Sequence, residues 1–204
     1  MNGKCATSNA WENELAGSYA LLAQVLAEAP RRNRPELYDV EVWRSFPLCG
    51  VSPSIAAAAG AVADECPGDE DALVELGADY GRLFVGPPKP AAMPWQTTYA
   101  NPNATSLSGT PALEVRRCMG NLGLRRSDGN GQLEDHIGTV LMVAAVMADR
   151  GLGEDRRAFV ERHVLSWIGS LIDAVEAAQL TSFYGAVLRL AREVSSLDAA
   201  SPTR

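Results

Sequence analysis

Apolar residues recur along this chain at intervals of three and four, the spacing that gathers them on one side of an α-helix. Trp11, Leu15, Tyr19, Leu22 and Leu26 form the first such stripe, which stops before Pro30. A second helix is predicted from Pro35, a good first-turn residue, through Leu37, Val40, Trp43 and Phe46 to Pro47. Ser52-Pro53, a cap followed by a first-turn proline, opens a third through the alanine-rich run Ile55 to Ala63, where small side chains permit close helix approach. Asp69, Glu70 and Asp71 stand where acids complement the N-terminus of a fourth helix. Thr110-Pro111 repeats the cap-and-proline signal for a helix through Val115 and Met119 to about Leu122, which Gly123 can close. Ile137 to Met147 is apolar nearly all round, which places that helix in the middle of the fold. Glu154 and Asp155 open a long helix with Phe159, His163, Trp167, Leu171 and Val175 on one face. Thr181 caps the last, which carries Phe183, Val187, Leu190, Val194 and Leu197. No run alternates like a strand and no segment repeats at a fixed period. The expectation is an all-α, single-domain bundle of about eight helices over residues 1–204, with a long proline-rich loop, frayed at 1–10 and 199–204.

One stretch breaks the helical pattern. Leu76, Tyr80, Leu83 and Phe84 keep helical spacing, but Gly86 can take positive φ, and Pro87, Pro88, Pro90 and Pro94 supply no backbone donor. A helix therefore runs into a stiff loop holding Met93, Trp95 and Tyr99. An aromatic surface loop either folds back over the core or presents a preformed recognition surface, and composition leaves both open. The polar segment 125–132, with Asp128-Gly129-Asn130-Gly131, reads as another loop. It leads into Glu134, Asp135 and His136 at the mouth of the buried helix.

Charge narrows the choice of partner. With 47% hydrophobic residues and a net charge of −7, the chain can bury a sizeable core, and its paired arginines are broken up by acids. That argues against nucleic acid and favours a basic partner. The first ten residues contain no apolar signal region, and the run Ile137 to Ala148 is well short of the roughly 20 residues a membrane span needs. A soluble, cytoplasmic protein without stable membrane insertion is expected. Cys5, Cys49, Cys66 and Cys118 form no C-x-x-C pair, so they read as free, partly buried thiols and not as a disulfide framework or a zinc site.

Catalysis has no visible apparatus. Of the two histidines, His163 lies on an apolar helical stripe, where a hydrogen-bonded core imidazole is expected. His136 follows two carboxylates at a loop-to-helix junction. There Asp135 either holds an arginine, with the imidazole adding a hydrogen bond or a stacking face, or joins Glu134 in capping the helix. An acid/base pair of Asp135 and His136 is disfavoured, because adjacent helical residues do not face each other. G-x-S-x-G, H-E-x-x-H, G-x-x-x-x-G-K-[ST] and G-x-G-x-x-G are all absent. No metal, cofactor or enzymatic activity is expected.

Tyr80-x-x-Leu83-Phe84-x-Gly86-Pro87, then Pro94-Trp95 with Tyr99, then Glu134-Asp135-His136-Ile137-Gly138 resemble, in order and spacing, the signature of the TorD/DmsD family of redox-enzyme maturation chaperones. Phe159-x-x-x-His163-x-x-x-Trp167 is similar to that family's penultimate helix. The chain departs from the pattern in having Gln132-Leu133 where relatives often carry a proline. The resemblance implies an all-helical, cytoplasmic, non-enzymatic chaperone. Its partner would be the twin-arginine signal peptide of a molybdenum-containing oxidoreductase, held until the cofactor is loaded and export can proceed. It places peptide binding on Tyr80, Leu83, Phe84, Gly86, Pro87, Pro94, Trp95, Tyr99, Glu134, Asp135 and His136. Oligomeric state stays open between a monomer and a domain-swapped dimer. The alternative is a helical scaffold that binds a folded partner subunit without reading a signal peptide.

Overall fold

The computed structural model describes residues 3–31, 34–86, 89–100, 109–125 and 133–201, with side chains from Ala10 onward. Its α-helices are α1 (Gly3–Ala27), α2 (Val40–Arg44), α3 (Pro53–Asp64), α4 (Glu70–Tyr80), α5 (Gln96–Ala100), α6 (Thr110–Asn121), α7 (Ile137–Asp149), α8 (Gly153–Val160), α9 (Ile168–Ala177) and α10 (Ser182–Ala200). Wide π-helical turns follow α4 at Gly81–Val85 and α8 at Glu161–Leu165. Among the described residues there is no strand, only an isolated antiparallel bridge between Trp95 and His136. None of the described helices is long and apolar enough to cross a membrane.

The architecture is all-α, with more and shorter segments than the eight helices expected. The run predicted as one helix from Pro35 to Phe46 is divided, because Asp39 Oδ1 accepts from Glu41 N at 2.8 Å and starts α2 afresh. A 3-10 turn at Pro35–Tyr38 precedes it, and a second at Pro47–Gly50 follows. The loop expected to be extended contains the short α5. Helix α1 starts at Gly3, within the segment expected to fray. The loop read at Asp128–Gly131 and the last three residues lie outside the described residues.

α7 is the central helix. Ile137, Val140, Leu141, Ala144 and Ala148 have no exposed surface, and the most extensive pairing in the fold is α1 against α7. Gly138 makes that pairing close: a Cβ there would lie 2.7 Å from the Ala27 Cα. Within the same core an aromatic cluster joins Tyr38, Trp43, Tyr80, Phe84, Phe183 and Tyr184, with ring centroids 5.1–6.3 Å apart and mostly edge-on.

A charged network that apolar periodicity does not reveal ties both ends of the chain together. Arg156 is fully buried and donates through Nε and Nη2 to the two carboxylate oxygens of Asp198, each at 2.9 Å, and to Glu12. Tyr19 Oη donates to the same Asp198 at 3.0 Å. Burial works against the guanidinium charge, but the hydrogen bonds and charges of Asp198 and Glu12 outweigh it and hold its pKa above the usual value. Cys49, Cys66 and Cys118 are free and half-buried.

Candidate functional site

The three motifs singled out in the sequence meet around the C-terminal end of α1 and the start of α7. In the first, the π turn ends when Gly86 N donates to the Gly81 carbonyl at 2.8 Å. Gly86 holds φ +86°, and a Cβ there would meet the Lys89 backbone at 3.1 Å, so glycine allows the chain to double back. Ala91 N and Ala92 N then donate to the carbonyls of Arg82 and Leu83 at 3.1 and 2.8 Å, laying the loop over the turn it has just left. Tyr80, Leu83 and Phe84 are buried, and Tyr80 Oη donates to the Leu26 carbonyl of α1 at 3.2 Å. Pro87 lies outside the described residues.

The second motif is pinned to the third by backbone. Pro94 offers its carbonyl to Ile137 N at 2.9 Å, and Gln96 N donates to the Asp135 carbonyl at 3.1 Å. Between these two bonds Trp95 stands against His136, ring edge to ring face, with centroids 5.7 Å apart. Pro94 is buried, whereas Trp95 and Tyr99 are half-buried. Tyr99 stacks on Trp167 at 5.5 Å, and burial pushes its phenol up to about 12, so the ring stays neutral.

Asp135 and His136 have buried side chains turned to local tasks. Asp135 Oδ2 accepts from both Thr97 N, at 2.7 Å, and Thr97 Oγ1. His136 caps α7, its Nδ1 accepting from Gly138 N at 3.1 Å, so that ring nitrogen is unprotonated. Glu134, whose side chain is 13% exposed, receives a bidentate pair from Arg116 at 2.7 and 3.0 Å. A guanidinium of the chain itself thus already engages the first carboxylate of this motif. Among the described residues Asp135 Oδ1 and Trp95 Nε1 are buried with no hydrogen-bond partner, an uncommon state for polar atoms in a folded protein.

Several residues that position this segment were not singled out in the sequence. Gln96 donates from Nε2 to the Arg162 carbonyl at 2.8 Å and to Ser166 Oγ at 3.3 Å, and its Oε1 lies 2.9 Å from His163 Nδ1. The π turn at Glu161–Leu165 widens α8 here, and Arg162 pairs bidentately with Glu114 of α6 at 2.8 and 2.5 Å. Burial lowers the His163 pKa against the pull of Glu114. Thr97 could have been anticipated: a carboxylate at the mouth of an apolar helix needs donors, and a threonine two residues beyond Trp95 supplies two of them. Among the described residues no group of three His, Cys, Asp or Glu side chains converges to hold a metal.

Asp135 has a measurable signature. Desolvation raises its pKa and outweighs the Thr97 hydrogen bonds that favour the anion. A carboxyl whose folded pKa exceeds its unfolded one contributes most to stability below the unfolded value, and that contribution is lost as pH rises through the folded value. The native protein should therefore lose stability relative to Asp135→Asn between acid pH and neutrality. Urea melts of both proteins across that range would check this, and a difference independent of pH would contradict it.

The sequence model of the nitrate reductase delta subunit family matches residues 50–173, more than half of the chain. The protein belongs to this family, which includes the TorD and DmsD chaperones. It is 30% identical over 142 residues to the chaperone protein TorD of Photobacterium profundum, covering 64% of this chain and 65% of that one. It is 27% identical to the Escherichia coli chaperone YcdY over 127 residues, 61% and 63% of the two chains. With the Tat proofreading chaperone DmsD of Salmonella paratyphi A it shares 28% identity over 113 residues, 55% of each. The match to the first of these thus spans just under two thirds of its length. All three relatives are named chaperones, none a catalyst.

Proposed function

We propose that the protein is a cytoplasmic chaperone that binds the twin-arginine signal peptide of a molybdenum-containing oxidoreductase and keeps the precursor back while its cofactor is inserted. The observation that carries this reading is the junction of Trp95 with Asp135 and His136. Motifs from two distant parts of the chain are paired there through backbone, and the pairing sets the Trp95 ring against His136 beside the Asp135 carboxylate. The half-buried rings of Trp95 and Tyr99 offer apolar contact to the uncharged middle of a signal sequence. The kinship with TorD and DmsD chaperones supports the same reading.

Titration calorimetry with a twin-arginine signal peptide tests it. Trp95→Ala should weaken binding by roughly 1.5–3 kcal/mol, about ten- to a hundred-fold, while the melting temperature changes less. A large loss of melting temperature with affinity unchanged would reduce Trp95 to a core residue and remove the reading's main support.

A further inference from the structure

The net charge of this chain is concentrated in one segment. Between Ser45 and Gly81 there are seven carboxylates and no lysine or arginine, so the rest of the sequence balances, 18 acids against 18 bases. The fold turns this segment into a double cleft on either side of Pro67 and Gly68. One cleft, about 650 Å³, lies between that turn and the 3-10 turn at Pro35–Tyr38. It has Pro35, Tyr38, Pro67 and Leu73 as apolar walls and Glu36, Asp39, Asp69 and Glu70 around them. The other, about 320 Å³, runs between the end of α3 and α4, with Asp64, Glu65, Glu75 and Asp79. Among the described residues no basic side chain lines either cleft.

Among the described residues, two arginines form ion pairs at the edges of these clefts. Arg34 reaches Glu36 only at 3.5 Å with both side chains exposed, and Arg82 pairs with Asp79 from a largely exposed position. Asp39 and Asp69 each use Oδ1 to cap a helix, accepting from Glu41 N and Ala72 N at 2.8 Å. The larger cleft, an apolar trough rimmed by carboxylates, suits an extended chain that carries cations on one side and apolar groups on the other.

We infer that this double cleft, and not the buried Asp135, seats the cationic start of the peptide. This rests on the signal-peptide reading for the identity of the occupant. Asp135 has no exposed surface and accepts from Thr97, so an incoming arginine cannot pair with it in this conformation. The acids of the larger cleft already face solvent, and opposite charge draws a cationic segment to them over about a Debye length, roughly 8–10 Å.

The test uses the full chain and fluorescence anisotropy with two peptides, one with an arginine pair before its apolar stretch and one with that pair replaced by glutamine. A quadruple variant, Glu36→Gln, Asp39→Asn, Asp69→Asn and Glu70→Gln, removes the charge of the larger cleft, and asparagine can still cap a helix. A control, Asp149→Asn, Glu161→Gln, Asp173→Asn and Glu193→Gln, makes the same change in net charge elsewhere. The cleft variant should lose roughly tenfold or more in affinity for the arginine peptide and little for the glutamine peptide, with the control within about threefold of the native protein. Arg34→Gln should strengthen binding by freeing Glu36. Equal losses in cleft variant and control, or none in the cleft variant, overturn the inference and leave the signal-peptide reading standing.

If the native protein binds neither peptide, the signal-peptide reading fails, and a short arginine-rich peptide without apolar residues then probes the cleft alone. In an NMR titration, amide shifts should concentrate in residues 34–39 and 64–75. Shifts scattered over other acidic surface would overturn the cleft as well.

Discussion

Replacing Arg156 by Met should destabilise the protein by about 3–5 kcal/mol, the largest effect expected of any single substitution proposed for this chain. Arg156 and Asp198 are both fully buried, and the guanidinium satisfies both carboxylate oxygens while also reaching Glu12. Methionine fills much of the same volume, so the loss comes from charge and not from a cavity: Asp198 is left buried with only the Tyr19 hydroxyl to solvate it. A second substitution separates these causes. Arg156→Met with Asp198→Leu removes both charges and should recover a substantial part of the loss, because a buried ion pair often does no better than apolar residues of similar size. Denaturant melts of the native, single and double variants complete a double-mutant cycle. If Arg156→Met costs less than about 1 kcal/mol, the network does not hold α1, α8 and α10 together.

Most of the bundle was legible because amphipathic helices write their period into the sequence. The stripes of α1, α6 and α10 and the all-round apolarity of α7 follow from spacing and caps, whereas the long helix expected from Glu154 to Val175 is divided into α8 and α9 by the π turn at Glu161–Leu165. Boundaries were lost where a single side chain decided them. The Asp39 cap divides Pro35–Phe46, and hydrogen bonds from residues 91 and 92 fold the proline loop back onto Leu83. At the candidate site, sequence singled out residues but did not show which way they face. Asp135 reads either as holding an arginine or as joining Glu134 in capping the helix, whereas the fold buries its carboxylate as an acceptor for Thr97 and gives the cap to His136. Such roles depend on what crosses the site from residues 96–99 and 162–167, far away in sequence. Arg156 was hidden for the same reason, since Asp198 is its partner from the other end of the chain and nothing local marks either as buried.

Gly138→Val should destabilise the protein by roughly 2–4 kcal/mol, because the added atoms would strike the backbone of a neighbouring helix. In most helices a glycine is a liability, and replacing it with alanine gains about 0.5–1 kcal/mol. A Cβ added to Gly60, in α3, would have nothing within 4 Å, so Gly60→Ala should show that gain. At Gly138 the same Cβ would fall 2.7 Å from the Ala27 Cα, 2.8 Å from its Cβ and 2.9 Å from its backbone nitrogen. Two of these atoms are backbone, so no rotamer change relieves the contact, and α1 must move off α7. Ala27→Gly removes only the Cβ contact, so it should rescue little of the Gly138→Ala defect, whereas a clash with a side chain alone would be rescued fully. The shift would also strain the Gly138 N bond to His136 Nδ1 and, through Leu26, the Tyr80 hydroxyl, so the damage should reach the candidate site. Peptide affinity should accordingly fall along with stability in Gly138→Val but not in Arg156→Met, whose network involves none of the residues around Trp95. Thermal melts and calorimetry on Gly60→Ala, Gly138→Ala, Gly138→Val and the Ala27→Gly double variant would decide this, and a stabilised Gly138→Ala would mean that the two helices can separate freely.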